Sequence, residues 1–289
     1  MSPDRPGACD ERYVRFGDDG HLVGVLAEPA HPTDRPPLVV LGAGLLHRSG
    51  PSRAVVALAR VLASRGHLVL RFDLSGIGDS PVDGRRPLRD AVLADIRAAV
   101  DEVTAGRAHS DAVLVGFCSG ADNAFAYAAD DPRIGGLVLF DPIVHSTAAH
   151  HRRVWWRRLT SASAWRTLVT GRWWRRPPAA PANDTPPPEY FSMLVAPPDE
   201  ADQLAARQAA RGVRRLHLLS SGVHEYCSAP SQVREAWPSG YRDATDVVVW
   251  APHIDHVLSR PDQIDWLVET VSQWLSLSAA HRVSRQERG

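Results

Sequence analysis

The chain has 289 residues, with 33 basic and 33 acidic side chains that leave no net formal charge. A chain of this length buries one sizeable core and has room for a small appended lid. Balanced charge excludes a global field that would recruit nucleic acid or a membrane surface, and no run of about 18 apolar residues is present to span a bilayer.

Every basic charge among Lys and Arg is an arginine. The three cysteines, Cys9, Cys118 and Cys227, are too few and too odd in number for a disulfide framework, which points to a reducing cytoplasm. The opening "MSPDRPGACDERY" has no apolar run behind a basic segment, so no signal peptide is expected.

In chain order, "RYVRFG" and "HLVGVLAEP" form two strands joined by the turn signal "DDG". "PPLVVLGAG" is a continuous apolar run ending in glycines, the pattern of a buried parallel strand. The helix "SRAVVALARVLASRG" follows, with Gly66 as its stop. "HLVLRFD" is a strand, "LRDAVLADIRAAVDEVTAG" an amphipathic helix and "DAVLVGFC" a strand. "GADNAFAYAADD" is then a helix and "IGGLVLFDP" another strand. After an interruption the alternation resumes with "RRLHLLSSG" as strand, "SQVREAW" as short helix, "DVVVWAP" as strand and "DQIDWLVETVSQWLSL" as helix. Strands alternating with helices predict an α/β fold: a mostly parallel sheet of about eight strands with helices on both faces. The core spans 1–144 and 203–280, and the polar tail 281–289 is expected to be disordered.

The interruption, 145–202, differs in composition. Trp155, Trp156, Trp165, Trp173 and Trp174 are interleaved with eight arginines between Arg152 and Arg176, and a proline-rich stretch follows from Pro177 to Pro188. Its place between two core strands makes it an insertion, read here as a lid of one or two short helices over the site.

The stretch that carries chemistry is "LVGFCSGADNA". It reads as strand, tight turn and helix, with Cys118 at the apex between Gly116 and Gly120. Small flanking residues are needed where a strained turn is crowded by its own strand and helix. A helix beginning at Ser119 aims its positive end at the sulfur and favours a thiolate. An isolated cysteine is more often a small buried hydrophobe, but this setting favours a nucleophile.

From Leu38 to about Leu277 the chain resembles proteins of the α/β-hydrolase fold, whose nucleophile elbow is G-x-Nu-x-G followed by an acid and a histidine. More narrowly, "HRSGPSR", "LVLRFDLSGIGDS" and "GFCSGADNA" resemble cysteine-bearing hydrolase-like proteins that include the exosortase-associated group. There an acyl-activating ligase and a carrier protein are often encoded nearby. Dienelactone hydrolases and polyester synthases also carry G-x-C-x-G.

The resemblance implies a histidine base on the loop after the last strand, where "APHIDHVLSRP" offers His253 and His256; the Asp-His setting favours His256. The acid is expected after the preceding strand. That loop lacks the usual aspartate, which leaves Glu225, with Asp255 as fallback and an ordinary solvated glutamate as the competing reading. The oxyanion hole is assigned to the amide of Ser119 and to one from Gly44 or Leu45. Arg48 and Arg53 either bind an anionic group of the substrate or pair with acids such as Asp73 and Asp79, and Asp122 is placed to meet one of these arginines. Trp155 and Trp156 are assigned to the wall of an acyl pocket. A base-stacking surface or an interfacial helix is the competing reading of the tryptophans.

These assignments predict a Cys-His-acid enzyme that cleaves or transfers acyl groups through an acyl-cysteine in a biosynthetic pathway. The substrate is a small acyl compound, free or bound to coenzyme A or a carrier protein, and no cofactor, metal or nucleic acid is expected. A lactone or ester hydrolase resembling dienelactone hydrolase is the competing enzyme, and an inactive binding protein of the same fold the competing class.

Overall fold

The computed structural model describes residues 9–31, 33–107, 111–160 and 194–286. Eight strands form a single sheet: β1 (Asp10–Phe16), β2 (Leu22–Glu28), β3 (Leu38–Leu41), β4 (Val69–Asp73), β5 (Ala112–Phe117), β6 (Ile134–Phe140), β7 (Arg214–Leu219) and β8 (Asp246–Trp250). Their spatial order is β1-β2-β4-β3-β5-β6-β7-β8. The "DDG" signal forms a 3-10 turn, Asp18–Gly20, and returns β2 antiparallel on β1 with Phe16 opposite Leu22. From β4 to β8 the neighbours are parallel, so their carboxyl ends share one edge, where open α/β sheets hold their ligands.

Seven helices are described: α1 (Ala54–Ser64), α2 (Leu88–Thr104), α3 (Ser119–Ala128), α4 (Ala148–Thr160), α5 (Pro198–Ala210), α6 (Gln232–Ala236) and α7 (Pro261–Gln286). Alternate residues of each central strand feed two separate cores, as a period of two requires. Val40, Val69, Val115 and Val138 pack with α1 and α7 on one face. Val39, Leu70, Leu114 and Leu137 pack with α2, α3 and α5 on the other.

Two boundaries differ from the sequence expectation. The core resumes before residue 203: Leu194 and Ala196 are buried, and α5 is a crossover helix whose Gln208 Nε2 donates to the Phe125 carbonyl of α3 at 2.6 Å. Its "DQLAARQAA" run is amphipathic, but the Pro-rich segment before it hides the helix start. At the other end, α7 continues through Gln286 and takes in much of the tail expected to be disordered. No glycine or proline interrupts "SLSAAHRVSRQ", so propensity favours continuation. Trp165, Trp173, Trp174 and the segment Pro177 to Pro188 lie outside the described residues.

Candidate active site

The elbow is built by crowding. Cys118 ends β5 and caps α3 with φ 51° and ψ −121°, a left-handed conformation that costs a non-glycine residue about 1–3 kcal/mol. Its N–H still donates to the Phe140 carbonyl at 2.8 Å, so the strained residue is held from the neighbouring strand. A Cβ on Gly116 would lie 2.3 Å from the Gly120 carbonyl oxygen, and one on Gly120 would lie 2.3 Å from that of Gly42. Both contacts are backbone to backbone and have no side chain that can yield.

His256, on the loop after β8, reaches the elbow. Its ring nitrogen Nδ1 lies 2.7 Å from Asp141 Oδ2, and the Cys118 sulfur is near enough to the ring to favour its charged form. Since a carboxylate only accepts, Nδ1 carries a proton and Nε2 is left for the sulfur. Donation to Asp141, then the interaction with Cys118, raise the His256 pKa from 6.5 to about 10 against the opposing effect of burial. Gly222 makes the approach possible, since a Cβ there would meet His256 Nδ1 at 2.6 Å.

The carboxylate partner of His256 is therefore Asp141 and not Glu225. Glu225 is exposed, two residues beyond the 3-10 turn Ser221–Val223. Asp255, the fallback, folds onto its own loop and accepts from the Val257 amide at 3.0 Å and the Ser259 hydroxyl at 2.6 Å. Asp141 directly follows β6, has φ 50° and a fully buried side chain, and also accepts from the Ser220 amide at 2.7 Å and from the Ser220 hydroxyl. The signal was present in "LVLFDP": an aspartate at the carboxyl end of a parallel strand, before a proline that ends the strand. His253 is exposed, its ring set edge-on to Trp266 of α7.

The remaining assignments divide. Ser119 is buried, and its hydroxyl accepts from the Gly44 amide at 2.6 Å. That amide is already engaged, so it is not free for an oxyanion, and of the two loop candidates Leu45 is left. Arg48 is only 3% exposed and bonds Asp73, Asp79 and the Tyr13 hydroxyl, so its fork is used within the fold and not offered to a substrate. His47, Asp73 and Asp79 are the close His/Asp grouping among the described residues, and the Arg48 guanidinium sits on both carboxylates. Arg53 is exposed at the start of α1, in a left-handed conformation. Asp122 meets no arginine. It is buried one turn after Cys118, accepts from the Ile143 amide at 2.9 Å, and burial pushes its pKa up to about 7.

Trp155 and Trp156 stand on the outward side of α4, 58% and 56% exposed, with their rings edge to face. The inward side of α4 is tied to the core by Arg153, 2.8 Å from Glu235, and by His150 Nδ1, 3.0 Å from the Ser228 hydroxyl. No helix among the described residues is long and apolar enough to cross a membrane.

Comparison with known proteins agrees with this architecture. The family model described as serine aminopeptidase, S33, matches residues 38–224, more than half of the chain and inclusive of the elbow and Asp141. An esterase from Pyrococcus furiosus superposes with a TM-score of 0.61 at 14% identity, covering 96% of this chain and 93% of that one. A dienelactone hydrolase from Anabaena variabilis gives 0.56 at 14% identity, covering 93% and 97%. The naproxen esterase of Bacillus subtilis gives 0.52 at 18%, covering 92% and 91%. No protein of curated function matches the chain significantly. With the elbow, the strand order and this match in agreement, the chain belongs to the serine aminopeptidase S33 family of α/β-hydrolase-fold hydrolases, with a cysteine at the apex of its elbow.

Proposed function

We propose that the protein is an acyl-transferring or thioester-cleaving enzyme that works through an acyl-cysteine on Cys118. The observation that carries this reading is the chain of contacts Cys118–His256–Asp141 at the carboxyl edge of the sheet. With its pKa raised to about 10, His256 is an imidazolium at neutral pH and holds a proton beside the sulfur. The thiolate attacks the acyl carbonyl, and the oxyanion forms against the Ser119 amide and an amide near Leu45. As the carbon–leaving-group bond breaks, His256 gives its proton to the leaving group.

Sulfur suits this chemistry because exchange between a thioester substrate and an acyl-cysteine is close to energetically level. The acyl group then passes to an amine, hydroxyl or thiol acceptor where water is excluded, and to water where it is not. Acylation takes away the interaction with the Cys118 sulfur, the second-largest cause of the high His256 pKa, so the ring is more readily neutral when an acceptor must be deprotonated.

The acyl substrate is a small molecule, free or carried by coenzyme A or a carrier protein. The run of arginines from Arg152 to Arg176 without an intervening acid supports an anionic carrier. Charge reversal at Arg157, Arg158, Arg175 and Arg176 that leaves carrier-protein binding unchanged would count against it. Described cysteines Cys9, Cys118 and Cys227 are all free thiols, which suits a reducing cytoplasm and a biosynthetic role.

Intact-protein mass after exposure to a panel of acyl thioesters and enol-lactones tests the reading. A covalent adduct from thioesters that disappears in Cys118→Ala supports it. Turnover of lactones alone would transfer the assignment to a dienelactone-hydrolase-like activity. Iodoacetamide labelling of Cys118 at pH 6 to 7 no faster than free cysteine would point to an inactive binding protein.

A further inference from the structure

The loop from Gly42 to Gly50, between β3 and α1, carries the Leu45 amide assigned to the oxyanion. Leu45 and Leu46 are 53% and 47% exposed, so apolar burial does not hold this part of the loop in place. Two polar ties bracket it. On the near side, the Gly44 amide donates to the Ser119 hydroxyl at 2.6 Å, which fixes the loop to the residue after the nucleophile. On the far side, Arg48 grips the end of β4 twice: its amide donates to Asp73 Oδ1 at 2.6 Å, and its Nη1 bonds Asp73 Oδ2. Its Nη2 adds Asp79 Oδ2 at 2.7 Å and the Tyr13 hydroxyl.

The receiving side is equally constrained. Asp73 is fully buried in its side chain, and its Oδ2 also accepts from the Asp79 amide at 3.1 Å. Gly78, with φ +53°, passes so near that a Cβ there would lie 2.3 Å from the same oxygen. A planar guanidinium suits this setting, because its two Nη groups reach Asp73 and Asp79 at once in fixed relative directions.

We infer that Arg48 is a positioning residue: by locking residues 42–50 onto Asp73 it sets the place of the oxyanion-binding amide over Cys118, without touching substrate itself. The inference rests on the acyl-cysteine reading, and two reactions of the same sulfur separate them. Acylation by 4-nitrophenyl acetate forms a carbon–sulfur bond through an oxyanion, then breaks the bond to 4-nitrophenolate, and His256 supplies the proton that leaves with it. Alkylation by iodoacetamide forms a carbon–sulfur bond and expels iodide at a saturated carbon, where no oxyanion develops.

In Arg48→Met, acylation is expected to fall about 10-fold or more, with KM and the alkylation rate each within about twofold of wild type. Arg48→Lys is expected to recover part of the acylation rate, since an ammonium restores the charge but not the fork. If Arg48→Met does not fold, Asp79→Asn loosens one arm of the grip at a half-exposed partner and is expected to slow acylation alone, by a smaller factor. Equal losses in acylation and alkylation would overturn the inference in favour of a purely structural role. A rise in KM alone would overturn it in favour of a substrate contact, and unchanged rates would leave the clamp without effect on the oxyanion and refute it. A wild-type protein that alkylates quickly yet never acylates would refute the acyl-cysteine reading and the clamp's role with it. Normal wild-type acylation with an indifferent Arg48→Met refutes the clamp alone.

Discussion

Replacing Asp141 with asparagine changes one atom at the point where the proposed proton path is anchored. In the wild type, Asp141 accepts from the Ser220 amide at 2.7 Å, from the Ser220 hydroxyl and from His256 Nδ1 at 2.7 Å. An asparagine has one oxygen for these donors. If that oxygen stays on the Ser220 amide, the side-chain NH2 faces His256 Nδ1 and forces the ring to accept there. The ring proton then moves to Nε2, which faces the sulfur and can no longer receive its proton. If the amide flips, its NH2 confronts the buried Ser220 N–H and leaves a donor unsatisfied, at about 1–3 kcal/mol. In the first arrangement acylation is expected to fall about 10²- to 10³-fold, equivalent to about 2.7–4 kcal/mol of barrier, and in the second the cost falls on stability. The corresponding loss with a hydroxyl nucleophile is about 10⁴-fold, and a thiol depends less on its base. The rate of 4-nitrophenol release and the iodoacetamide rate against pH measure the effect, with Glu225→Gln as the parallel variant. Asp141→Asn is also expected to lower the alkaline limit of the pH profile, because the largest cause of the raised His256 pKa is removed. A near-wild-type Asp141→Asn together with an impaired Glu225→Gln would refute the assignment of the acid.

Gly222→Ala places a Cβ 2.6 Å from His256 Nδ1 and must displace the ring from Asp141, so activity is expected to drop about 10-fold or more with little change in urea midpoint. Gly120→Ala differs: its Cβ meets the carbonyl oxygens of Gly42 at 2.3 Å and Leu41 at 2.5 Å, and the expected outcome is loss of stability by about 3 kcal/mol or more in urea unfolding. Asp122 has its pKa raised from 3.8 to about 7 by burial, so the folded state holds its proton more tightly than the unfolded chain. Its contribution to stability is therefore full below about pH 3.8 and is lost as pH rises through about 7. Asp122→Asn keeps an acceptor for the Ile143 amide and is expected to gain about 1–3 kcal/mol at pH 8 and nothing at pH 4. Equal effects at both pH values would contradict the burial argument.

What was legible in the sequence follows from how local each signal is. The elbow needs glycines at fixed offsets around a strand end, and "GFCSG" states them within five residues. The strands divide their side chains between two cores, and their short apolar runs between glycines and helical patterns were read correctly. Asp141 was missed because its pairing with His256 joins residues 115 positions apart, and the nearer loop after β7 offered Glu225 at the customary place. Ser220 in that same loop does not supply the acid but holds it, through its amide and hydroxyl. The fate of Arg48 was open for a similar reason: an arginine beside a site reads alike from sequence whether its fork faces inward or outward. Burial decided it, since the guanidinium is 3% exposed and both of its Nη groups are bonded within the fold.

Moving the acid from the β7 loop to the end of β6 has a mechanical consequence. Cys118 donates its amide to the Phe140 carbonyl, and Asp141 is the next residue after Phe140. Cys118 and Asp141 are thus fixed to each other through one backbone hydrogen bond between neighbouring strands, whereas His256 arrives on a loop with its side chain 40% exposed. Gly222 clears the space for the ring, and Ser220, two residues earlier, holds the carboxylate, so the β7 loop shapes both partners of the histidine. Cys118 and Asp141 are held by the sheet, and His256 is the more exposed member of the three. A base that must turn between the sulfur, a departing group and an incoming acceptor is best placed on the less buried element, with its two end-points held by the sheet. This is the division of rigidity that the proposed acyl-transfer cycle through a single sulfur would call for.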